Sequence, residues 1–450
     1  MTELNFSLSE TTGKIKIMNA VNNGPTDPGV RATYTNFESY KAAKIPYARN
    51  HDASFFVGYG GEHTVDVHRI FKDFDADEND PESYIFEPTD QYIKTTLDAG
   101  TKIFYRLGAS IEHRYKYGTR VPKNMEKWAR ICEHIIRHYN EGWAKGFRYG
   151  IDYWEIWNEP DLFIESGSSP TWQGTRKEFF DLYCISAKHL KSCFPSVKIG
   201  GPAICNAWDN LNDGKSFMRA FLDYVKAENA PLDFFSYHWY GKELPMLGET
   251  VELVKKELLE RGFDKTETVL NEWNYIKGWK GDEWNYSLEM EKGLKGSSFV
   301  AGAMCICQAL PLDMLMYYDA RPCGMNGIFK ATTYECLKSY YSFIMFSHLR
   351  QLGNYVKCDF VKDDIYSAAA TDGKNSAVML TYYSENDASE TKTVKACFDN
   401  IKKPLKADIY LLDEDNDLEL VSEQYFTAEK FNIILKMKVH SSVLIKLTEI

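Results

Sequence analysis

The sequence predicts an α/β protein: a (β/α)8 TIM barrel followed by a small C-terminal antiparallel β-sandwich domain. Short apolar runs alternate with longer helical patterns from residue 14 to about residue 350, as in a parallel sheet wrapped by helices. Eight such runs are present and no G-x-G-x-x-G follows an early one, so closure into a barrel suits them better than a doubly wound open sheet. Beyond about residue 352 the pattern changes to short, often alternating runs split by DGKN and ENDASE. The expected units are 14–350 for the barrel and 351–450 for the sandwich, with residues 1–13 available to complete the latter.

In chain order the expected barrel strands are KIKIMNAV from Lys14, KIPYARN from Lys44, KIFYRLG from Lys102, YWEIWN from Tyr153, VKIGG from Val197, DFFSYHW from Asp233, TVLNE from Thr268 and LDMLMYY from Leu312. Between them PKNMEKWARICEHIIRHYNEGW, RKEFFDLYCISAKHLKSCF, SFMRAFLDYVKAENA and VELVKKELLERG repeat apolar residues at three- and four-residue intervals, as amphipathic helices do. YECLKSYYSFIMFSHLRQLG follows the last strand in the same manner. DIYSAAATD, SAVMLTYYS, KTVKACF, KADIYLLDED and SSVLIKLTEI supply the strands of the tail.

A chain of 450 residues, 44% apolar and 26% charged, has room for a large core and the balance of an ordinary globular protein. Its net charge of −11, with no Lys/Arg stripe, argues against nucleic acid and anionic membrane as partners. MTELNFSLSE lacks a basic segment followed by an apolar core, and no apolar run approaches membrane-spanning length, so a soluble, cytoplasmic protein is expected. Ten scattered cysteines without a C-x-x-C pair read as reduced thiols. Aromatic residues reach 14%, which suits stacking on sugar rings and core packing equally.

The stretch YWEIWNEPDL (153–162) ends a strand on Asn158 and Glu159, and Pro160 stops further pairing where the chain must turn outward. Barrel chemistry sits at the carboxyl ends of the strands, so Glu159 is expected in the mouth. TETVLNEWNY places Glu272 at the rim of the seventh strand in the same way. Two such carboxylates are what glycosidic cleavage requires: one protonates the leaving oxygen while the other attacks or activates water. Each glutamate alone reads more simply as a loop salt bridge; the pair, each directly after an asparagine and beside tryptophan, does not. Glu155, mid-strand, is expected to be buried scaffolding paired with Arg49 or Arg106.

Two metal patterns are weak. Asp75, Asp77 and Asn79 copy the start of a calcium loop, but Asp80 and Phe86 replace its Gly and Glu. His134 and His138, four apart, lack the H-E-x-x-H context and are assigned to the outer, solvated helix ring.

WEIWNEPD around Glu159 and LNEWN around Glu272, with KIGGPA (198–203) and SYHWYG (236–241), resemble family 39 glycoside hydrolases, whose characterised members include β-xylosidases and α-L-iduronidases. The resemblance implies a retaining double displacement with Glu159 as general acid/base and Glu272 as nucleophile, needing no cofactor or metal. It implies that Asn158 holds the sugar 2-hydroxyl, that His238 and Tyr240 orient sugar and nucleophile, and that Arg49 and His51 form a basic, hydroxyl-binding pair. Trp239 and Trp273 are candidate stacking platforms, although alternation with His238 and Glu272 can turn them the other way. Departures from the family pattern fall in YYDARPCGMNGIF after strand eight and HDASFFVGYGGEHTVDVHRIF after strand two. In the former, Asp319 and Arg321 read as a hydroxyl- or carboxylate-binding pair or as a surface pair.

The leading expectation is a β-xylosidase-like glycosidase, exo-acting on small oligosaccharides or glycosides. An endo-acting glycanase and a non-catalytic sugar-binding protein on a retired hydrolase barrel are the alternatives; loss of either glutamate would have favoured the last.

Overall fold

The computed structural model describes residues 1–26, 35–52, 63–111, 116–399, 401 and 403–450. Eight parallel strands close a barrel in sequence order. They are Ile17–Asn22, Tyr47–Asn50, Lys102–Leu107, Tyr153–Ile156, Lys198–Ile204, Phe234–Gly241, Glu267–Tyr275 and Met314–Tyr317. Each coincides with one of the eight predicted runs, and pairing of Val21 with Tyr317 closes the ring. Much of the loop expected to matter after strand two, residues 53–62, lies outside the described residues.

Inside the barrel, the amino-terminal end is filled by Ala20, Tyr47, Phe104, Tyr153, Phe234, Val269, Met314 and Met316. Phe104 stacks on Tyr153 at 5.1 Å and meets Phe234 edge-on at 5.1 Å, so the bottom is an aromatic plug. Since side chains alternate along a strand, the next inward positions above Tyr47, Phe104, Tyr153 and Phe234 are Arg49, Arg106, Glu155 and Ser236. Apolar packing below therefore leads directly to a charged layer above.

The remaining strands form a ten-stranded, mostly antiparallel sheet. Its N-terminal member, Thr2–Lys14, pairs antiparallel with Asn354–Cys358 and parallel with Lys392–Asp399. The sheet folds over its own core, in which Leu4, Phe398 and Ile433 join Val378, Ala407 and Ile445. Helix Leu294–Ala309 is buried on all sides, and its Lys295 ammonium reaches Asp387 at 2.8 Å and Glu385 at 3.2 Å in the loop that follows strand Ser376–Tyr382 of that sheet.

His134 and His138 correct one expectation: both are buried, not solvated. The His134 imidazole contacts the Arg130 carbonyl, and His138 bridges Asp90 and the Trp143 carbonyl while stacking on Phe86 at 3.6 Å. In the calcium-like stretch Asp75 pairs with exposed Lys123, and Asp77 accepts from Asn79. No helix among the described residues is long and apolar enough to cross a membrane.

Candidate active site

Two backbone irregularities aim the rim residues. At the end of strand four, Trp157 and Glu159 adopt positive φ (78° and 47°), a strained conformation for non-glycine residues. Surrounding bonds hold it: the Glu159 N–H donates to the Ala203 carbonyl at 2.8 Å, and the Thr171 hydroxyl donates to the Glu159 carbonyl at 2.6 Å. In strand seven, Leu270 pairs with Tyr237 of strand six but Glu272 pairs with His238, leaving Asn271 as an extra, bulged residue. A bulge breaks strict alternation, so Asn271 and Glu272 both reach the barrel interior.

Arg49 is the hub of the charged layer and is fully buried. Its Nε donates to Glu155 at 2.6 Å, one terminal nitrogen to Glu272 at 2.7 Å and Asn22 at 3.1 Å, and the other to the Asn158 carbonyl oxygen at 2.6 Å. Burial opposes its charge, but Glu155 and Glu272 hold it protonated. Glu155, which also accepts from Asn271 at 2.5 Å, thus has the scaffolding partner expected in Arg49. Arg106 instead pairs with Asp66 at 2.6 Å and donates to His51 Nδ1 at 3.3 Å.

That donation leaves His51 Nε2 to carry the hydrogen, 3.5 Å from Glu272 and 3.4 Å from Asp52. Burial pushes His51 well below its ordinary pKa, so it is a neutral donor. Tyr240 donates its hydroxyl to the second Glu272 oxygen at 2.9 Å. His238 Nδ1 lies 2.8 Å from Glu159, and burial lowers its pKa to about 4. Glu159 therefore faces a neutral imidazole, whereas Glu272 faces a guanidinium.

Burial pushes both glutamates up to about 7. Against burial, His238 and the Arg49 charge favour the ionised form of Glu272, and a Cys205 side-chain bond and the more distant Arg49 charge do so for Glu159. The direct ion pair puts the first negative charge of this coupled pair on Glu272 and leaves the proton on Glu159. A carboxylate oxygen of each lies within 4.8 Å of the other, with the His238 nitrogen in the same cluster.

The cluster opens into a pocket of about 890 Å³, to which His51, Asn158, Glu159, Tyr240 and Glu272 all contribute. Arg49 and His238 stand behind this lining and touch it through hydrogen bonds. Because the Asn158 carbonyl oxygen is taken by Arg49, its amide hydrogens are the part turned to a ligand.

Trp239 and Trp273 are the correction: neither lines the pocket. Both are buried outside the barrel against Phe299 of the surrounding helix, at 6.4 and 6.0 Å. Strand alternation turns them outward when His238 and Glu272 face in.

Several pocket residues were missed or left open by sequence reading, among them Asp52, Arg321, Trp279 and Trp284. Asp52 accepts from the Tyr318 hydroxyl; burial would raise its pKa, but His51, His63 and Arg321 hold it ionised. Arg321 is buried, not a surface residue: it donates to the Asp52 carbonyl at 2.8 Å and lies 3.3 Å from buried Asp319. Trp279 and Trp284 also line the pocket. Their signal was two tryptophans in the polar, glycine-bearing stretch GWKGDEW, where core packing gives no reason for them.

The chain is similar to known proteins in sequence and in fold. The model of glycosyl hydrolases family 39 matches residues 57–306, more than half of the chain. A β-xylosidase from Geobacillus stearothermophilus is 28% identical over 191 residues, 39% of this chain and 34% of its own length, so the match spans about a third of that relative. A crystal structure of a glucosidase from Croceicoccus marinus superposes with a TM-score of 0.79 at 20% identity, covering 100% of this chain and 99% of the other. A monomeric β-xylosidase from Caulobacter crescentus gives 0.72 at 15%, with both chains covered in full. At such identities the superpositions speak for the fold.

Proposed function

Because the chain belongs to glycosyl hydrolases family 39, we propose that it is a retaining glycosidase of β-xylosidase type, exo-acting on small glycosides or oligosaccharides. The observation that carries this reading is the facing pair: Glu159 beside a neutral histidine, Glu272 on Arg49, with carboxylate oxygens within 4.8 Å. Retaining pairs stand about 5 to 5.5 Å apart, whereas inverting pairs leave about 6.5 to 9.5 Å for water.

In the first step a Glu272 oxygen attacks the anomeric carbon, and the glycosidic bond breaks as Glu159 gives its proton to the departing oxygen. In the second, Glu159 takes a proton from water, the resulting oxygen attacks the same carbon, and Glu272 leaves as carboxylate. Tyr240 and His51 hold Glu272 in place, and the Asn158 amide binds the sugar 2-hydroxyl, where hydrogen bonding strengthens in the transition state. Asp52, Tyr318 and Arg321 line the same pocket as Glu159 and Glu272, and their hydrogen-bonding groups suit one terminal sugar. Ten free thiols fit a reducing compartment such as the cytoplasm.

The test is nitrophenol release from β-xyloside, α-arabinoside, β-galactoside, β-glucoside and α-iduronide, with Glu272→Ala beside the wild-type protein. Turnover of one member, lost in the variant and giving a product of unchanged anomeric configuration by NMR, is expected. An inverted product would remove Glu272 as nucleophile, and a silent panel would remove the reading.

A further inference from the structure

The pocket continues outward from the carboxylates along a wall of a different kind. Tyr240, which bonds Glu272, meets Trp279 edge-on at 5.2 Å, and Trp279 stacks on Trp284 at 5.5 Å and 21°. Leu288 extends this wall from the helix Gly281–Met290, and Leu162 and Phe163 line the pocket from the loop after strand four. Two of these are costly to leave in water: Trp279 is 56% exposed and Phe163 64%. Phe163 is moreover held at φ 52°, ψ 26°, a left-handed conformation that is rare for a bulky residue and recurs at ligand clamps.

We propose that this outer chamber is an aglycone subsite for an aryl or arylalkyl group, so that the preferred substrates are glycosides of aromatic alcohols and not oligosaccharides. The inference rests on the glycosidase reading and deepens it. A second sugar would bring hydroxyls that need partners on both ring edges. Among the described residues near these tryptophans, Asn206 and Asp209 are tied to each other, the amide donating at 2.9 Å and its carbonyl oxygen accepting from the Asp209 N–H at 3.2 Å, and Lys280 is a further polar side chain. A flat apolar group instead covers the exposed indole and phenyl faces and needs no such partners.

The experiment compares 2-phenylethyl and methyl glycosides of whichever sugar the nitrophenyl panel identifies, with the disaccharide of that sugar as a third substrate. Both aglycones are alkyl alcohols of similar leaving ability, so their ratio of kcat/KM reads contacts made by the phenyl ring. The wild-type ratio should be on the order of 30-fold, falling below about 5-fold in Trp279→Ala and Trp284→Ala. A ratio near one, an unchanged ratio in both variants, or a disaccharide used better than the 2-phenylethyl glycoside would overturn the subsite.

Saturation-transfer NMR with 2-phenylethanol alone separates this outcome from failure of the glycosidase reading. Transfer that disappears in both tryptophan variants supports the subsite even if every sugar is refused, and no transfer to the wild-type protein overturns it.

Discussion

The two halves of the barrel interior are built on the same strands, one step of alternation apart, and follow opposite physics. Below, Phe104, Tyr153 and Phe234 pack ring against ring with Val269 and the methionines, and burial itself is the stabilising contribution. Above, Arg49 and Glu155 are buried just as completely, yet their burial is unfavourable except as a network. The lower layer keeps the barrel closed. The upper layer draws on that closure to hold two glutamates in a low-dielectric site where their protonation states can be set apart.

Breaking the upper layer at its hub should have the largest effect. Arg49→Met leaves Glu155 and Glu272 buried without their cation and releases the Asn158 amide. We expect a loss of about 3–5 kcal/mol in stability, read by denaturant unfolding, and of roughly a thousandfold in kcat/KM. A variant as active as wild type would dissolve the hub.

The converse change below is Phe104→Ala. It should cost about 3–5 kcal/mol of stability through the cavity it opens, while the folded fraction keeps kcat/KM within about threefold. A drop in activity comparable with that of Arg49→Met would show that the two layers are not separable.

The protonation argument sharpens the contrast through pH. Glu159 must carry a proton to act as an acid and its pKa is raised to about 7, so kcat/KM for an alkyl glycoside should fall about tenfold per pH unit above that value. His238, lowered to about 4, does not titrate in that range. For a dinitrophenyl glycoside, which needs no acid, the basic limb should flatten, and a limb identical for both leaving groups would take the acid role from Glu159.

The smallest expected effect is at Glu291, a buried carboxyl whose two oxygens have no hydrogen-bond partner among the described residues. Burial raises its pKa well above 4.5, so its folded form favours the neutral acid. Its contribution to stability is therefore full at pH below 4.5 and is lost as pH rises through the folded value. Glu291→Gln, which cannot ionise, should be more stable than wild type by about 1 kcal/mol at pH 8 and equal to it at pH 4. Equal gains at both pH values would assign the effect to packing.

Much of this was legible along the chain. The eight barrel strands announced themselves as short apolar runs alternating with longer helical patterns, and the paired N-E motifs at strand ends marked Glu159 and Glu272, because strand identity and rim position are local properties. The facing of Trp239 and Trp273 was legible only as a condition: alternation turns them outward if His238 and Glu272 face in, and the register that puts Glu272 inward includes a bulge at Asn271 that is identified only by pairing across to strand six. His134 and His138 looked like outer-face residues until the segment around Phe86 covered them.

By itself, then, the sequence determined the repeating strand and helix units, the change of pattern near residue 352, and the two glutamates with the asparagine beside one of them. Tertiary structure alone decided that Arg49 joins Glu155, Glu272 and Asn158, that Glu159 meets a neutral imidazole, and that Trp279 and Trp284 flank the mouth. Periodicity and turn chemistry act over a few residues. Protonation state depends on groups 79 to 223 residues apart, which only closure of the barrel brings into contact.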